Sequence, residues 1–466
     1  MVDDPRNRLQ PDGPFADAGV AILAAGEGHQ AVVQVDGFQA VKADDAVKFS
    51  KHAFEVFGDI ISAVTYVAAV HTYSNFLRIF HIVDNCFKFF KGAADFTAFA
   101  RKLDELYGAT VAGKVSKAGN YQIITLTITH VDDRYTLNGE PLAEECARLL
   151  AEIVTMPAIE NGRFDPEAVA TEKNSLADTI AAEVNDKRSY AVTRCTELLF
   201  EGEPLAVKQY GYAEDVDAIT PESAAACYEA MLSTAAVEIT MIGPSAGEAV
   251  TGIFREAFQK ALENRNRQPI DPDFEMEQKI PTEVRRVTEE MDLTQGKMVM
   301  GFSLLPAEDK KAQAVSRIAT AIYGSSPFSK LFMNVREKLS LCYYCASRTM
   351  ASYGYMLVDC GIESANQEKA EAEILHQLDE VCAGNFTETE MENARLAVVN
   401  SLRTVTDSLS AMSSWLLNEI LQGGDSADPT DEIELTQAVT AEEVRDYMRS
   451  AKLSVVYLLA GPGKGE

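Results

Sequence analysis

The amino-acid sequence predicts an α+β protein with two homologous domains, each an antiparallel-rich sheet with helices packed on one face. β-branched and apolar runs such as QIITLTIT (122–129) are interspersed with long amphipathic stretches, which indicates strands in an α+β layer. One order of elements also occurs twice, about 220 residues apart: a Thr-capped helix, an apolar strand and a terminal Gly-Pro. A shared period across three kinds of element favours duplication of one domain.

Composition narrows the class of protein. The chain has 466 residues, enough for two or three domains, and its net charge of −29 disfavours nucleic acid and anionic membranes as partners. The eight cysteines follow no disulfide or zinc framework, and the CxxC pair Cys342 and Cys345 lies in an apolar, aromatic run. We therefore predict buried thiols there, not a redox or metal site. This cysteine usage, with an acidic start that lacks a signal-peptide core, predicts a cytoplasmic protein.

The first half of the chain divides at about residue 94. Residues 1–93 lack a clear period, and we interpret them as a divergent N-terminal segment of uncertain fold. Real divergence, a replaced segment and a frame error in the gene all remain open explanations. Residues 94–262 predict the remainder of the first domain, with the strand at 122–129 and helices over 99–107 (ending at Gly108), 140–153, 165–184 and 186–200.

The duplicated elements follow. Thr220 predicts an N-cap with Pro221 at the first helical position, and the strand at 237–242 comes after this helix. Thr440 predicts the same start for a second helix, which leads to the strand at 453–459. The polar, Pro-containing residues 263–282 predict a linker between the copies.

Residues 283–466 predict the second domain. Thr387 and Glu390 have the spacing of a capping box, which predicts a helix start at that point. The remaining pattern predicts strands over 296–305 and 354–362 and helices over 312–323, 367–382 and 408–421.

The most informative stretch runs from Gly324 to Tyr344. Phe328, Leu331, Phe332 and Val335 recur at helical spacing and predict one apolar helix face, followed by a strand from Leu339. From spacing alone, Arg336 is a solvated or capping cation near the end of that helix.

The string LFMNVREKLSLCY (331–343) resembles the C-terminal signature of the insulinase/pitrilysin-type (inverzincin) zinc peptidases. The resemblance covers residues 96–466 and implies the two-domain fold of that family and of the processing peptidase. It also implies that Arg336 and Tyr343 bind the substrate near the zinc.

The resemblance implies a zinc motif that this chain does not contain. The family requires His-x-x-Glu-His, in which the histidines bind zinc and the glutamate acts as general base. The nearest string is His81-Ile-Val-Asp84-Asn85, and Glu172 resembles the third ligand. Without two histidines, we favour an ordinary histidine for His81 and a solvated helix carboxylate for Glu172. We thus predict no catalytic residue and no metal site in this chain.

The chain is similar to the partner that lacks the zinc motif in bacterial pairs of insulinase-like proteins. This implies a heterodimer with a zinc-bearing insulinase-like chain, a peptide substrate, and zinc held only by the partner. Two alternatives stay open. The chain could be an active zinc peptidase with a degenerate His81/Glu172 site, or a stand-alone peptide-binding protein.

Overall fold

The computed structural model describes residues 20–24, 30–35, 61–71, 96–119, 121–243, 247–263, 265, 283–422 and 428–461. Nearly all of the predicted linker and most of residues 1–93 therefore lie outside the described residues. The chain forms two compact units. Among the described residues, none of the helices combines the length and the apolarity that a membrane crossing requires.

The two units are not contiguous in sequence. The first contains Met1–Ile180, Gln209–Asp273 and Val405–Asp428, and the second contains Ala181–Lys208, Phe274–Thr404 and Pro429–Glu466. Each unit thus takes one segment from the half of the chain that otherwise builds the other. The predicted boundaries at 94–262 and 283–466 did not include this exchange.

The first unit is built on a sheet of six strands in the order β1-β2-β6-β3-β5-β4, with every neighbouring pair antiparallel. Strand β5 is the predicted QIITLTIT strand. The strands are β1 (Val20–Ala24), β2 (Gln30–Val35), β3 (Ile61–His71), β4 (Thr110–Ala118), β5 (Tyr121–Val131) and β6 (Ala236–Ile242).

The helices predicted over 99–107, 140–153, 165–184 and 186–200 begin and end within a few residues of those bounds. The first ends as predicted: Gly108 has a φ of +72°, and its amide donates to the Leu103 carbonyl at 3.0 Å. The helices are α1 (Phe96–Glu105), α2 (Leu142–Thr155), α3 (Pro166–Ala182), α4 (Lys187–Leu199), α5 (Ala213–Val216), α6 (Pro221–Thr234) and α7 (Glu248–Leu262), of which α5 and α7 were not predicted.

The second unit is built on a sheet of five strands in the order β7-β11-β8-β10-β9. β7 runs parallel to β11, and the other neighbours are antiparallel. The strands are β7 (Arg285–Glu290), β8 (Gly296–Ser303), β9 (Cys342–Met350), β10 (Tyr355–Ile362) and β11 (Lys452–Ala460). The helices after the predicted linker are α8 (Lys310–Thr320), α9 (Gln367–Ala383), α10 (Glu388–Arg403), α11 (Leu409–Leu421), α12 (Thr430–Gln437) and α13 (Ala441–Met448), of which α11 belongs to the first unit.

Both sheets carry a helix on the face opposite their main helical layer. In the second unit, α4 packs Ala191 and Cys195 against Val299 and Leu357. In the first unit, α11 packs Met412 and Leu416 against Ile242. These are the two exchanged segments, so the prediction of helices on one face was incomplete.

The duplicated elements form as predicted. Thr220 and Thr440 both cap their helices through capping boxes, with Ser223 and Glu443 as the third helical residues. Each helix leads into a buried strand, β6 or β11. The strand orders β6-β3-β5-β4 and β11-β8-β10-β9 also correspond, which supports the interpretation as a duplication.

Candidate functional site

The stretch that carries the family signature lies in the second unit. The π-helical segment Leu331–Lys338, called the signature helix below, buries Leu331 and Val335 completely. Phe332 is half-buried, whereas Phe328 is 58% exposed. The predicted apolar face is therefore wrong at Phe328, because this residue precedes the helix and does not share its period.

A close approach fixes the π-helical segment Ala321–Ser325 before the signature helix. A Cβ atom on Gly324 would lie 2.6 Å from the Ser347 Oγ and 2.7 Å from the Ser347 amide nitrogen. Such distances are shorter than side chains tolerate, so only glycine lets this segment pack against β9.

Arg336 lies on the exposed side of the signature helix. Its guanidinium Cζ is 4.6 Å from the centroid of the Phe332 ring, a cation–π distance. Its Nε is 3.6 Å from the Glu337 carboxylate, and 40% of the side chain is exposed. An exposed ion pair at this distance contributes little, so the aromatic ring is the main support of the guanidinium.

A tight turn connects Arg336 to Tyr343. Ser340 adopts a positive φ of +50°, and its amide donates to the Arg336 carbonyl at 3.1 Å. Strand β9 starts two residues later and leaves Tyr343 62% exposed. Both signature residues therefore reach the surface at the same end of this helix–strand unit.

The CxxC cysteines point into the core, as predicted. Cys342 and Cys345 are buried free thiols, and Cys345 lies directly opposite Cys360 on β10. A hydrogen bond between Cys342 and Cys345 lowers the pKa of Cys342 and raises the pKa of Cys345.

Glu172 is completely buried in the first unit, so its interpretation as a solvated carboxylate was wrong. Asp165 caps α3 by accepting a hydrogen bond from the Ala168 amide at 2.8 Å. From this start, Val169, Glu172 and Leu176 recur at helical spacing on the buried face. Because glutamate is charged, the sequence did not indicate that Glu172 belongs to the buried face of the helix.

The described residues do not supply the zinc site of the resembled family. The sequence has no His-x-x-Glu-His, and His81, Asp84 and Asn85 lie outside the described residues. Within the described ranges, no group of three His, Cys, Asp or Glu side chains is arranged to hold a metal ion. A zinc site at Glu172 would need two histidine ligands from one helix face.

One charged cluster in the second unit was not predicted. Asp359 on β10 is buried, and its carboxylate accepts hydrogen bonds from Arg188 Nε at 2.5 Å and Arg348 Nη2 at 3.1 Å. The Arg188 guanidinium lies 4.3 Å from the Tyr344 ring centroid, and the Lys297 Nζ lies 5.5 Å from it. A single aspartate in the apolar strand YMLVDCGI was the available sequence signal.

Comparison with known proteins agrees with the signature. A family model described as the peptidase M16 inactive domain matches residues 218–398. The probable inactive metalloprotease YmfF of Bacillus subtilis strain 168 is 29% identical over 359 residues, 77% of this chain and 83% of the relative. The chain is similar to an inactive M16 relative over most of its length. The predicted insulinase-like resemblance is thus confirmed, and it is a resemblance to inactive members.

Solved M16-like structures confirm the α+β insulinase-like fold. A conserved protein from Enterococcus faecalis V583 superposes with a TM-score of 0.78 at 25% identity, covering 87% of this chain and 95% of the other. A peptidase M16 inactive domain from Pseudomonas fluorescens superposes with a TM-score of 0.70 at 17% identity, covering 87% and 94%.

Proposed function

We propose that this chain is the non-catalytic, substrate-binding subunit of a heterodimeric zinc peptidase that acts on peptides. Zinc would belong to a second insulinase-like chain with an intact His-x-x-Glu-His. One observation carries the proposal: Arg336 and Tyr343 reach the surface in a sequence that lacks the zinc motif.

The chemistry of these two residues suits binding better than hydrolysis. A guanidinium and a phenol donate hydrogen bonds to peptide carbonyl oxygens. Hydrolysis in this family requires a metal-activated water and a carboxylate base, and the partner would supply both. Stacking on Phe332 restricts the Arg336 guanidinium before substrate arrives, which reduces the entropy lost on binding.

Charge and cysteine chemistry support the remaining parts of the proposal. The net charge of −29 disfavours nucleic acid and anionic membranes, and favours basic or neutral peptides and proteins. Each cysteine in the described ranges is a free thiol. Free thiols persist in a reducing compartment, so we assign the protein to the cytoplasm.

The test uses the full chain together with an M16 protein from the same genome that carries His-x-x-Glu-His. We expect a stable complex and peptide cleavage by the mixture, with no cleavage by this chain alone. Arg336→Ala and Tyr343→Phe should each lower kcat/KM of the mixture by about tenfold or more, since each removes a hydrogen bond to the substrate. Met333→Ala is the matched control, because Met333 is 48% exposed on the same helix but carries no polar group.

Two outcomes would replace the proposal. Cleavage by the pure chain, with about one zinc per chain that is lost in His81→Ala, would restore the degenerate His81/Glu172 enzyme. Peptide binding without any zinc-bearing partner would favour a stand-alone peptide-binding protein.

A further inference from the structure

The cluster around Asp359 lies on the sheet face that also carries α4. We call Arg188, Lys297, Tyr344, Arg348 and Asp359 the cationic platform. Gly361 pairs with Lys297 on β8 and with Tyr344 on β9, so these three positions form one row across the sheet. Residues two apart along a strand share a face, which adds Asp359 to the same surface.

The platform continues along the same sheet face to Arg348 and is completed by Arg188 of α4. Arg348 on β9 lies opposite Leu357, a residue that packs against α4. Arg188 is the second residue of α4 and reaches the platform from the helix start. The platform therefore combines residues from three strands and one helix of the second unit.

Gly361 determines the shape of the platform. A Cβ atom at this position would lie 2.5 Å from the Tyr344 Cε1 atom, so the ring covers the bare glycine backbone. Cross-strand packing of an aromatic ring over glycine stabilises a sheet at such a position. The Tyr344 hydroxyl is buried and has no hydrogen-bond partner within the described part of the chain.

Positive charge exceeds negative charge on the platform. Arg188, Lys297 and Arg348 face Asp359 and the nearby helix cap Asp186, whose carboxylate is bonded to Ser189. The Lys297 Nζ donates to the neutral Gln295 amide oxygen at 2.6 Å. Burial and the charge of Arg188 lower the pKa of Lys297, as expected where cations lie close together.

Both guanidinium groups have N–H donors that form no hydrogen bond within the described part of the chain. Their side chains are 48% and 43% exposed, for Arg188 and Arg348 respectively. Within the described ranges, Arg188 uses only Nε and Arg348 only Nη2 in the hydrogen bonds to Asp359. Asp359 thus holds both groups in place while their other N–H groups point away from it. Preorganised guanidinium forks match the geometry of a carboxylate.

We propose that the cationic platform binds a carboxylate of the peptide substrate, either its C-terminal carboxylate or an acidic side chain. This inference rests on the proposed role in peptide binding and names the group that the second unit recognises. A local excess of cations in a chain with net charge −29 attracts an anionic group to this one surface.

The experiment measures fluorescence anisotropy with the full chain and three rhodamine-labelled decapeptides. One ends in a free carboxylate, one is its C-terminal amide, and one is the amide with an internal glutamate. We expect either acidic peptide, or both, to bind about tenfold or more tightly than the neutral amide, with a difference that shrinks at high salt. The two acidic peptides distinguish a terminal carboxylate from a side-chain carboxylate. Equal affinity for all three, or no measurable binding of any, would overturn the inference.

Variants locate the site. Lys297→Met and Arg348→Gln should each remove most of the tenfold preference, and Lys297→Met leaves the hydrogen bonds to Asp359 intact. Arg286→Gln is the matched control. It removes one positive charge from the same unit, but Arg286 pairs with Glu371 and not with Asp359. An equal loss in Arg286→Gln would assign the preference to net charge and contradict the platform.

The outcome is separable from that of the proposed function, because no partner chain is present in this assay. Carboxylate preference without any complex with a zinc-bearing chain would overturn the subunit proposal alone. A cleaving complex whose chain shows no carboxylate preference would overturn the platform alone.

Discussion

The helices α3 and α10 start about 220 residues apart, the period of the duplicated elements, but one core position carries different residues in them. Asp165 and Thr387 accept the capping hydrogen bonds, and the fourth residue after each cap is buried in both helices. The seventh residue after the cap is Glu172 in α3 and Ala394 in α10, and both are buried. The same helical frame thus holds a carboxylate in one unit and a methyl group in the other.

The second unit buries the carboxylate of Asp359 on its sheet, where two arginines satisfy it. Burying a carboxylate costs free energy, and packing alone needs only an apolar side chain. The comparison therefore teaches that two similar helices can form the same core with or without a buried acid, and that Glu172 and Asp359 are positions where packing alone does not explain the residue.

The largest effect is expected when the second unit is given the carboxylate of the first. Ala394→Glu places a charge within the apolar core of the second unit, and full burial can shift a carboxyl pKa by about 3–5 units, so we expect a loss of about 4 kcal/mol or more in the free energy of unfolding. Urea denaturation measures it. Leu396→Glu, on the same helix but 51% exposed, is the control and should cost far less. Equal losses would show that helix propensity, and not burial, decides.

A smaller effect is expected when the second unit loses the buried carboxylate of Asp359. Asp359→Ala leaves Arg188 and Arg348 without their carboxylate, but both are half-exposed and remain hydrated. We therefore expect a loss of about 2–3 kcal/mol, below the range for a fully buried pair. Glu388→Ala breaks an ion pair with Arg395 at a glutamate that is 84% exposed, and should cost less than about 1 kcal/mol. A similar cost for both variants would contradict the structural role of Asp359.

The smallest expected effect is a difference between the two capping boxes in how their contribution to stability depends on pH. Thr220→Ala and Thr440→Ala should each cost about 1 kcal/mol near neutral pH. Although burial raises the pKa of Glu443, hydrogen bonds from the Thr440 backbone and Lys311 outweigh it and lower that pKa overall. A lowered folded-state pKa means that this stabilisation is present above the ordinary glutamate pKa and is lost as the pH falls through the folded-state value.

Thermal melts of both variants at neutral and acidic pH measure this difference. The Tm deficit of Thr440→Ala should shrink in acid, whereas that of Thr220→Ala should stay constant, because its box partner Ser223 does not titrate. A constant deficit in both variants would mean that the hydrogen bond from the Thr440 hydroxyl to Glu443 does not depend on the charge of Glu443.

Local chemistry made much of the fold predictable. Thr220, Thr387 and Thr440 cap helices as their spacing predicted, and Gly108 ends α1 with the positive φ that glycine favours. Each of these signals acts within a few residues, so the sequence displays it directly.

The unpredicted parts depend on contacts between distant residues. Arg188 and Asp359 are 171 positions apart, and nothing in the sequence near Arg188 indicates that Asp359 is its partner. The burial of Glu172 was missed because sequence patterns assign a glutamate to the exposed face of a helix, even where its spacing from Val169 and Leu176 places it on the buried face. Arg336 and Tyr343 were found through resemblance, since spacing alone assigned Arg336 to an ordinary helix surface.

The exchange of α4 and α11 has a consequence for how the chain acquires its structure during synthesis. The strands β8 and β11, which pack against α4, are synthesised at least 97 residues after Leu199, the end of α4. The first unit, in turn, lacks α11 until residues 405–428 have been synthesised. A chain that folded strictly one domain at a time would leave apolar surfaces of α4 and β6 exposed in the meantime. Completion of either unit therefore requires almost the entire polypeptide, and neither half of the gene encodes a self-sufficient domain.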